Sequence, residues 1–213
     1  MSLTSVSLLV LVPLLAGSLL VGASASTTSF ARRFGEARGQ ALTFVLRNVL
    51  GLPLVFVGAI WAWQSPSPWL FAPKPPLAVA GWTLVVAGAL VFVVGHVHIG
   101  TPAGRPTMRD ALVRRGLYAY VRHPIYAGSL ALILGLALLH PTPTFISAAA
   151  VGTAWLLIQA RIEERDLIQR LPEYRGYMRQ VPRFVPRLRR QSRRAPGPHG
   201  QEEPAPGGTG GTK

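Results

Sequence analysis

The sequence has no cysteine among its 213 residues, and it is poor in charge. The absence of cysteine excludes disulfide bonds, thiolate nucleophiles and cysteine-ligated metal sites. Charged residues make up only 14% of the chain, against roughly 25% in soluble domains. Hydrophobic residues make up 49%. This composition favours a protein that lies in a lipid bilayer.

Acidic residues are also scarce: eight Asp and Glu stand against 22 Lys and Arg, which gives a net charge of +14. Such an excess can indicate a nucleic-acid partner, but its distribution here argues against one. Eleven of the basic residues are arginines between Arg161 and Arg194, after the last apolar segment, and most others flank apolar segments. Membrane proteins place positive charge in this way on the cytoplasmic side. We therefore expect membrane lipids as partners and no nucleic acid, whereas the oligomeric state cannot be read from the sequence.

Four apolar stretches are long enough, or nearly so, to cross a bilayer, which takes about 20 residues of helix. They are residues 3–21, 41–63, 77–99 and 125–160. The last is too long for one crossing and is divided by the run His-Pro-Thr-Pro at residues 140–143. Proline removes a backbone donor and restricts the residue before it, so this run predicts a tight break between two helices. The sequence predicts an all-α fold, a polytopic membrane helical bundle with five transmembrane helices.

The connecting loops alternate between rich and poor in basic residues, as five crossings require. The first loop has three arginines, the next has only Lys74, the third has five arginines and the break has none. We therefore predict a multi-pass protein of a bacterial inner membrane with a cytoplasmic C-terminus. Arg47, near the start of the second stretch, is expected to snorkel to the cytoplasmic side. The small residues Ala23, Ser24 and Ala25 leave a cleaved signal peptide as an alternative for the first stretch, although no basic residue precedes it.

Polar residues mark the two ends of the last hairpin. Arg122 and His123 precede its first helix, and Glu163 and Glu164 follow its second. Antiparallel helices bring their ends together, so we expect these opposite charges to meet at the cytoplasmic mouth. One interpretation is an ion-pair clamp that only closes the hairpin. The other is a polar pocket for a charged, amphiphilic cofactor.

Short motifs surround this hairpin in a defined order. Residues 116–128 read Gly-Leu-Tyr-Ala-Tyr-Val-Arg-His-Pro-Ile-Tyr-Ala-Gly, and after the hairpin come the Glu-Glu pair, Glu-Tyr at 173–174, Tyr177 and Val-Pro-Arg-Phe-Val-Pro at 181–186. This order, over residues 95–188, resembles the isoprenylcysteine carboxyl methyltransferases and the related phospholipid methyltransferases. The chain departs from that pattern at Leu171 and Pro172, where the family has Phe-Gly.

The resemblance implies an integral membrane methyltransferase that uses S-adenosylmethionine on a lipophilic acceptor, with carboxyl O-methylation as the expected reaction. The sequence does not identify the acceptor: a prenylated cysteine, a phospholipid amine, a short-chain lipid acid, a small thiol and a phenol all stay open.

Together with the apolar stretches, the resemblance predicts a chain of three parts: transmembrane helices at 1–99, a methyltransferase-like catalytic region at 100–190 and a tail at 191–213. The tail is expected to be disordered because it is rich in proline, glycine and polar residues. The resemblance requires no metal. The residues that it implies for cofactor binding are Gly116, Leu117, Tyr118, Arg122, His123, Pro124, Tyr126, Glu163 and Glu164.

Two catalytic roles are assigned from position. Arg161, two residues before Glu163, is a candidate to hold an acceptor carboxylate, or else an interfacial arginine that snorkels to head groups. Glu163 or Glu164 is the candidate base if the acceptor is an amine. His96 and His98 do not share a helix face, so they predict no metal site and are expected at the membrane interface.

Two other functions are also compatible with the sequence. A membrane reductase of the sterol type has a similar helical C-terminal region but uses a nicotinamide cofactor. A non-catalytic membrane subunit would use the charged residues only as a clamp.

Overall fold

The computed structural model describes residues 8–100 and 106–187, and the regular elements within those ranges are helices. The predicted all-α fold is confirmed, whereas the predicted tail at 191–213 lies outside the described residues. The helices are α1 (Leu11–Ser24), α2 (Thr27–Phe34), α3 (Glu36–Phe44), α4 (Leu52–Gln64), α5 (Pro75–Ile99), α6 (Pro124–Leu139), α7 (Pro143–Arg170) and α8 (Tyr174–Gln180). A π-helical segment, Val45–Gly51, joins α3 to α4, and short 3-10 turns lie at Leu8–Val10 and Gly116–Ala119.

Three helical rods in the described residues are long and apolar enough to cross a membrane. They are Glu36–Gln64, Pro75–Ile99 and Pro143–Arg170. The pair α1 and α2 passes the same test only together, and it is bent by 64° at the break between them. Helix α6 has 16 residues, which corresponds to about 24 Å, shorter than a hydrocarbon core of about 30 Å. Length and composition thus support three or four spans, and the predicted count of five is not confirmed.

The predicted break in the fourth apolar stretch is confirmed. Helix α6 ends at Leu139, and α7 begins at Pro143. Thr142 caps α7, because its hydroxyl accepts a hydrogen bond from the backbone N–H of Phe145 at 3.3 Å. Proline suits the first helical position, where no intrahelical N–H bond is lost. The two helices therefore form an antiparallel hairpin.

Helices α5 and α6 pack backbone to backbone through glycines that recur every seven residues. Gly81 and Gly88 of α5 face Gly135 and Gly128 of α6, and Gly95 faces Ile125. A Cβ atom on Gly128 would lie 2.6 Å from the carbonyl oxygen of Gly88. Small residues are what allow two helices to approach this closely in a membrane. The close crossing fixes α6, and with it the start of the candidate site, against α5.

Gly88→Ala is expected to destabilise the protein by about 1–3 kcal/mol, as overpacking of a close contact does. Its Cβ would lie 2.7 Å from the Gly128 carbonyl oxygen and from the Leu132 nitrogen. Thermal unfolding in detergent measures the effect. Gly152→Ala in α7 is the matched control, since its Cβ would meet only the Cδ1 of Ile133, at 3.7 Å. Equal melting temperatures for the two variants would contradict the close crossing.

Helix α7 joins two pairs of helices. Helix α1 packs along α4, α5 packs along α6, and α7 contacts α1, α4 and α6. The shared core is apolar and consists of Val10, Leu14, Ala62, Phe145 and Ala148. Because α7 touches both pairs, its C-terminal part can collect polar groups from each of them.

The chain after α8 returns to the start of α6. The backbone N–H of Arg122 donates to the carbonyl of Pro182 at 2.9 Å, and that of His123 donates to Arg183 at 3.0 Å. These bonds occupy donors just before α6 that have no partner within that helix. The C-terminal segment thus lies against the residues in which the sequence predicted a site.

Candidate active site

The charged ends of the α6–α7 hairpin meet as predicted. Nη2 of Arg122 lies 2.9 Å from Oε1 of Glu164, and Nε2 of His123 lies 3.1 Å from the same oxygen. The hydroxyl of Tyr126 donates to Oε1 of Glu163 at 2.6 Å. The predicted convergence of these groups is confirmed, whereas their roles toward a cofactor stay predictions.

Glu164 is the buried centre of an ion cluster. Its side chain is only 4% exposed, and its carboxylate accepts from Arg122, His123 and Arg183. Arg183 comes from the C-terminal segment, at 2.6 Å, and the hydrogen bond to Glu164 raises the pKa of its guanidinium above the ordinary value. A buried carboxylate requires such partners. Glu164 thus ties α6, α7 and the C-terminal segment together.

Arg122 makes further bonds to the same segment. Its Nη1 donates to the carbonyls of Met178 at 2.9 Å and Val181 at 2.6 Å, and its side chain is 8% exposed. The guanidinium is thereby engaged in fixing the chain after α7. Its predicted contact with a cofactor carboxylate stays a prediction.

Glu163 has a different environment from its neighbour. Its carboxylate is partly exposed and pairs with Arg47, whose Nη2 lies 3.1 Å from Oε1. The Nε of Arg47 also donates to the hydroxyl of Ser24 at 3.2 Å. Arg47 was predicted to snorkel to the cytoplasmic side; its side chain is only 13% exposed and pairs with Glu163 of α7. A charge within an apolar helix is stabilised by facing an opposite charge inside the bundle.

Arg47 lies in the π-helical segment Val45–Gly51. Such segments are rare and frequently occur at functional sites, because they redirect side chains locally. The sequence signal that points to Arg47 is a lone arginine in an otherwise apolar stretch.

A cavity of about 240 Å³ lies beside Glu163. Five of the predicted cofactor-binding residues line it: Tyr118, Arg122, His123, Tyr126 and Glu163. The other four are not among its lining residues: Gly116, Leu117, Pro124 and Glu164. Arg161 is exposed on α7 and does not line the cavity either. The structure therefore does not bring Arg161 to the cavity, and its role toward an acceptor carboxylate stays a prediction.

A second ion cluster lines another part of the cavity. Arg170 pairs with Asp166 at 3.1 Å and with Asp110 at 3.0 Å, and Asp166 also accepts from the backbone N–H of Thr28 at 2.9 Å. Sequence reasoning recognised only the local pair of Asp166 and Arg170. It missed Asp110, which is 60 residues from Arg170 and carries no motif that marks the contact.

Three buried tyrosines complete the wall of the cavity. Burial raises the pKa of the Tyr118 and Tyr174 phenols above the ordinary value, and it raises the pKa of Tyr177 to about 12. They are therefore neutral at physiological pH. The hydroxyl of Tyr177 donates to the carbonyl of Tyr118 at 2.6 Å.

Residues 77–172 match the family model described as phospholipid methyltransferase. This region belongs to the phospholipid methyltransferase family. The match begins in α5 and ends just after α7, so the phospholipid methyltransferase region contains both the hairpin and the two glutamates. Arg47 lies outside it.

Two relatives are similar over a longer stretch. Methanethiol S-methyltransferase of Pseudomonas sp. (strain GM41(2012)) is 30% identical over 154 residues, which cover 66% of this chain and 57% of that protein. Methanethiol S-methyltransferase 1 of Bradyrhizobium diazoefficiens is 32% identical over 146 residues, which cover 59% of this chain and 47% of that protein. The chain spans about half the length of these relatives. No solved structure is significantly similar to it. The resemblance drawn from the motifs is confirmed by these matches.

Proposed function

We propose that this protein is a membrane methyltransferase that uses S-adenosylmethionine and that the cavity beside Glu163 holds the donor. The observation that carries the proposal is the carboxylate of Glu163, which is 21% exposed at the cavity and stands between a guanidinium and a phenol. The cavity therefore presents a carboxylate, a guanidinium and an aromatic ring to a bound molecule. The phospholipid methyltransferase region, which supplies Tyr126 and Glu163, supports methyl transfer as the activity.

The lining residues fit the polar groups of the donor. When bound, the donor would supply a methyl group activated by a positively charged sulfur. Glu163 would accept from its ammonium group, and Arg47 would bind its carboxylate, because charge-assisted hydrogen bonds of this kind are short and strong. The ring faces of Tyr118 and Tyr126 would stabilise the sulfonium as a cation over an aromatic ring.

The second ion cluster fits a different part of the donor. Asp110 and Asp166 each keep a carboxylate at the cavity although both pair with Arg170. A carboxylate accepts hydrogen bonds and has sites for several donors. These two side chains would accept from the ribose hydroxyls.

For the acceptor we propose a small thiol. The two relatives are named for S-methylation of methanethiol, which supports this class. The finer prediction of carboxyl O-methylation came from the family resemblance, and its candidate to hold an acceptor carboxylate, Arg161, is exposed and does not line the cavity. An acceptor carboxylate is therefore the alternative to include in the same assay.

Glu163→Gln is expected to weaken binding of S-adenosylmethionine by about 10- to 100-fold, since a hydrogen bond to a charged group contributes about 1.5–3 kcal/mol. Equilibrium dialysis of the detergent-purified protein with methyl-labelled donor measures the dissociation constant. Glu173→Gln is the matched control, because it makes the same change at an exposed carboxylate that does not line the cavity. Equal affinity in both variants would place the donor elsewhere.

Cofactor binding by the same purified protein distinguishes the two alternative functions, a sterol-type reductase and a non-catalytic subunit. A response to nicotinamide cofactors with no binding of S-adenosylmethionine would favour the sterol-type reductase. Absence of binding to either cofactor, with Glu163→Gln changing only stability, would favour the non-catalytic clamp.

A further inference from the structure

Three histidines, His96, His98 and His123, make hydrogen bonds that indicate which ring nitrogen carries the proton. His123 places its Nε2 3.1 Å from Oε1 of Glu164. A carboxylate in an ion cluster only accepts, so this nitrogen carries the proton. The Nδ1 of His123 lies 4.0 Å from Oε2 of Glu163. His123 is thus held between two carboxylates and serves as a donor.

His98 also carries its proton on Nε2, but it bonds through its other nitrogen. Its Nδ1 lies 3.1 Å from the backbone nitrogen of Leu117, which is a donor. Nδ1 therefore carries the lone pair, and Nε2 carries the proton. His98 is not among the residues that line the cavity. It positions the turn Gly116–Ala119 against α5.

His96 differs from both. Its Nδ1 lies 2.9 Å from the carbonyl oxygen of Phe92, which only accepts, so Nδ1 carries the proton and Nε2 carries the lone pair. His96 lines the cavity, and no hydrogen-bond partner of its Nε2 occurs among residues 8–100 and 106–187. Of the three rings, His96 therefore combines a place at the cavity with an unprotonated nitrogen whose partner is not already fixed.

We infer that His96 is the general base of the reaction and takes the proton of a neutral thiol acceptor at Nε2; this inference rests on the proposed function. The S–H bond of the acceptor breaks, and its proton goes to His96. The acceptor sulfur forms a bond to the methyl carbon as the sulfonium–methyl bond breaks, and that electron pair stays on the donor sulfur. The imidazolium then returns its proton to water.

The chemistry of the acceptor makes such a base necessary. A thiolate is the nucleophile, whereas an alkanethiol is protonated at neutral pH. Imidazole has an ordinary pKa of about 6.5, which suits proton transfer near neutrality. Glu163 is less suited, because its Oε1 already accepts from Arg47 and Tyr126. A carboxylate acceptor is ionised at this pH and would gain nothing from His96.

The surroundings of His96 fit a small apolar molecule. The ring of Phe92 lies 4.4 Å from that of His96, centroid to centroid. Ile99, Ile125 and Leu52 line the same cavity. An apolar wall disfavours binding of a charged acceptor and favours binding of a neutral thiol. The thiol then loses its proton only when His96 takes it.

Two acceptors of different acidity test this role. With an alkanethiol, His96→Ala and His96→Gln are expected to lower kcat/KM by about 100-fold or more, the usual effect of losing a general base. With an aryl thiol, which is largely ionised at neutral pH, the loss is expected to stay below about tenfold. Imidazole added to His96→Ala is expected to restore part of the alkanethiol activity. Binding of S-adenosylmethionine, measured on the same samples, shows that the variants are folded.

His98→Gln is the matched control, because loss of a histidine with a positioning role should lower kcat/KM by the same factor for both thiols. Equal losses for the two thiols in both His96 variants, or a wild-type protein that methylates carboxylic acids and neither thiol, would overturn the role of His96 as a base. A wild-type protein that fails to bind S-adenosylmethionine would instead overturn the proposed function.

Discussion

Glu164→Gln is expected to lower the free energy of unfolding by about 3–5 kcal/mol, the usual cost of removing one partner from a buried ion pair. The variant leaves Arg122, which is 8% exposed, and the imidazole of His123 without the negative charge that compensates them. Arg183 loses its anchor as well, so the C-terminal segment is expected to detach. Thermal unfolding in detergent measures the stability, and binding of S-adenosylmethionine is expected to fall with it.

Glu36→Gln is the control for this change. It removes the charge of a glutamate that pairs with Arg109 on the surface, where the two side chains are 45% and 86% exposed. Exposed pairs contribute about 0–1 kcal/mol. If the two glutamine variants melt at similar temperatures, Glu164 is not the buried centre that the structure places between α6 and α7.

Arg170→Met is expected to have an effect of similar size, about 3–5 kcal/mol, because it leaves two carboxylates without their cation. Asp166 is 8% exposed and Asp110 is 12% exposed, so neither is well solvated. Both line the cavity, and we expect the variant also to lose affinity for S-adenosylmethionine. Differential scanning fluorimetry and dialysis with labelled donor measure the two effects.

A second substitution distinguishes charge from packing at this site. Adding Asp110→Asn to Arg170→Met removes one of the two unpaired charges and is expected to recover part of the lost stability. Arg109→Met, at an arginine whose side chain is 86% exposed, is expected to leave the melting temperature nearly unchanged. If the double variant is less stable than Arg170→Met alone, repulsion between the carboxylates is not the cause of the loss.

The sequence predicted the features that depend on neighbours along the chain. The proline run at 140–143 predicted where α6 ends and α7 begins, since the loss of a donor is a local property. Once two helices form a tight hairpin, their free ends must meet. The convergence of Arg122 and His123 with Glu163 and Glu164 followed from that geometry, and no other part of the fold had to be known.

The features that the sequence did not predict depend on how separate helices dock. Arg47 contacts Glu163 across 116 residues, and nothing near Arg47 in the chain specifies that partner. The contact requires the α1–α4 pair to pack against α7, and the π-helical turn to redirect the side chain. For the same reason the places of Asp110 and His96 at the cavity were missed.

The bonds between residues 122–123 and residues 182–183 have a consequence for biosynthesis. The ribosome releases residues 182 and 183 after α6 and α7 are already available for insertion into the bilayer. Until then, Glu164 lacks Arg183, and the backbone donors before α6 face water. We therefore expect that a nascent chain whose apolar helices have all entered the bilayer cannot yet bind S-adenosylmethionine. Competence would arrive only when residues 182 and 183 emerge and close over the finished hairpin.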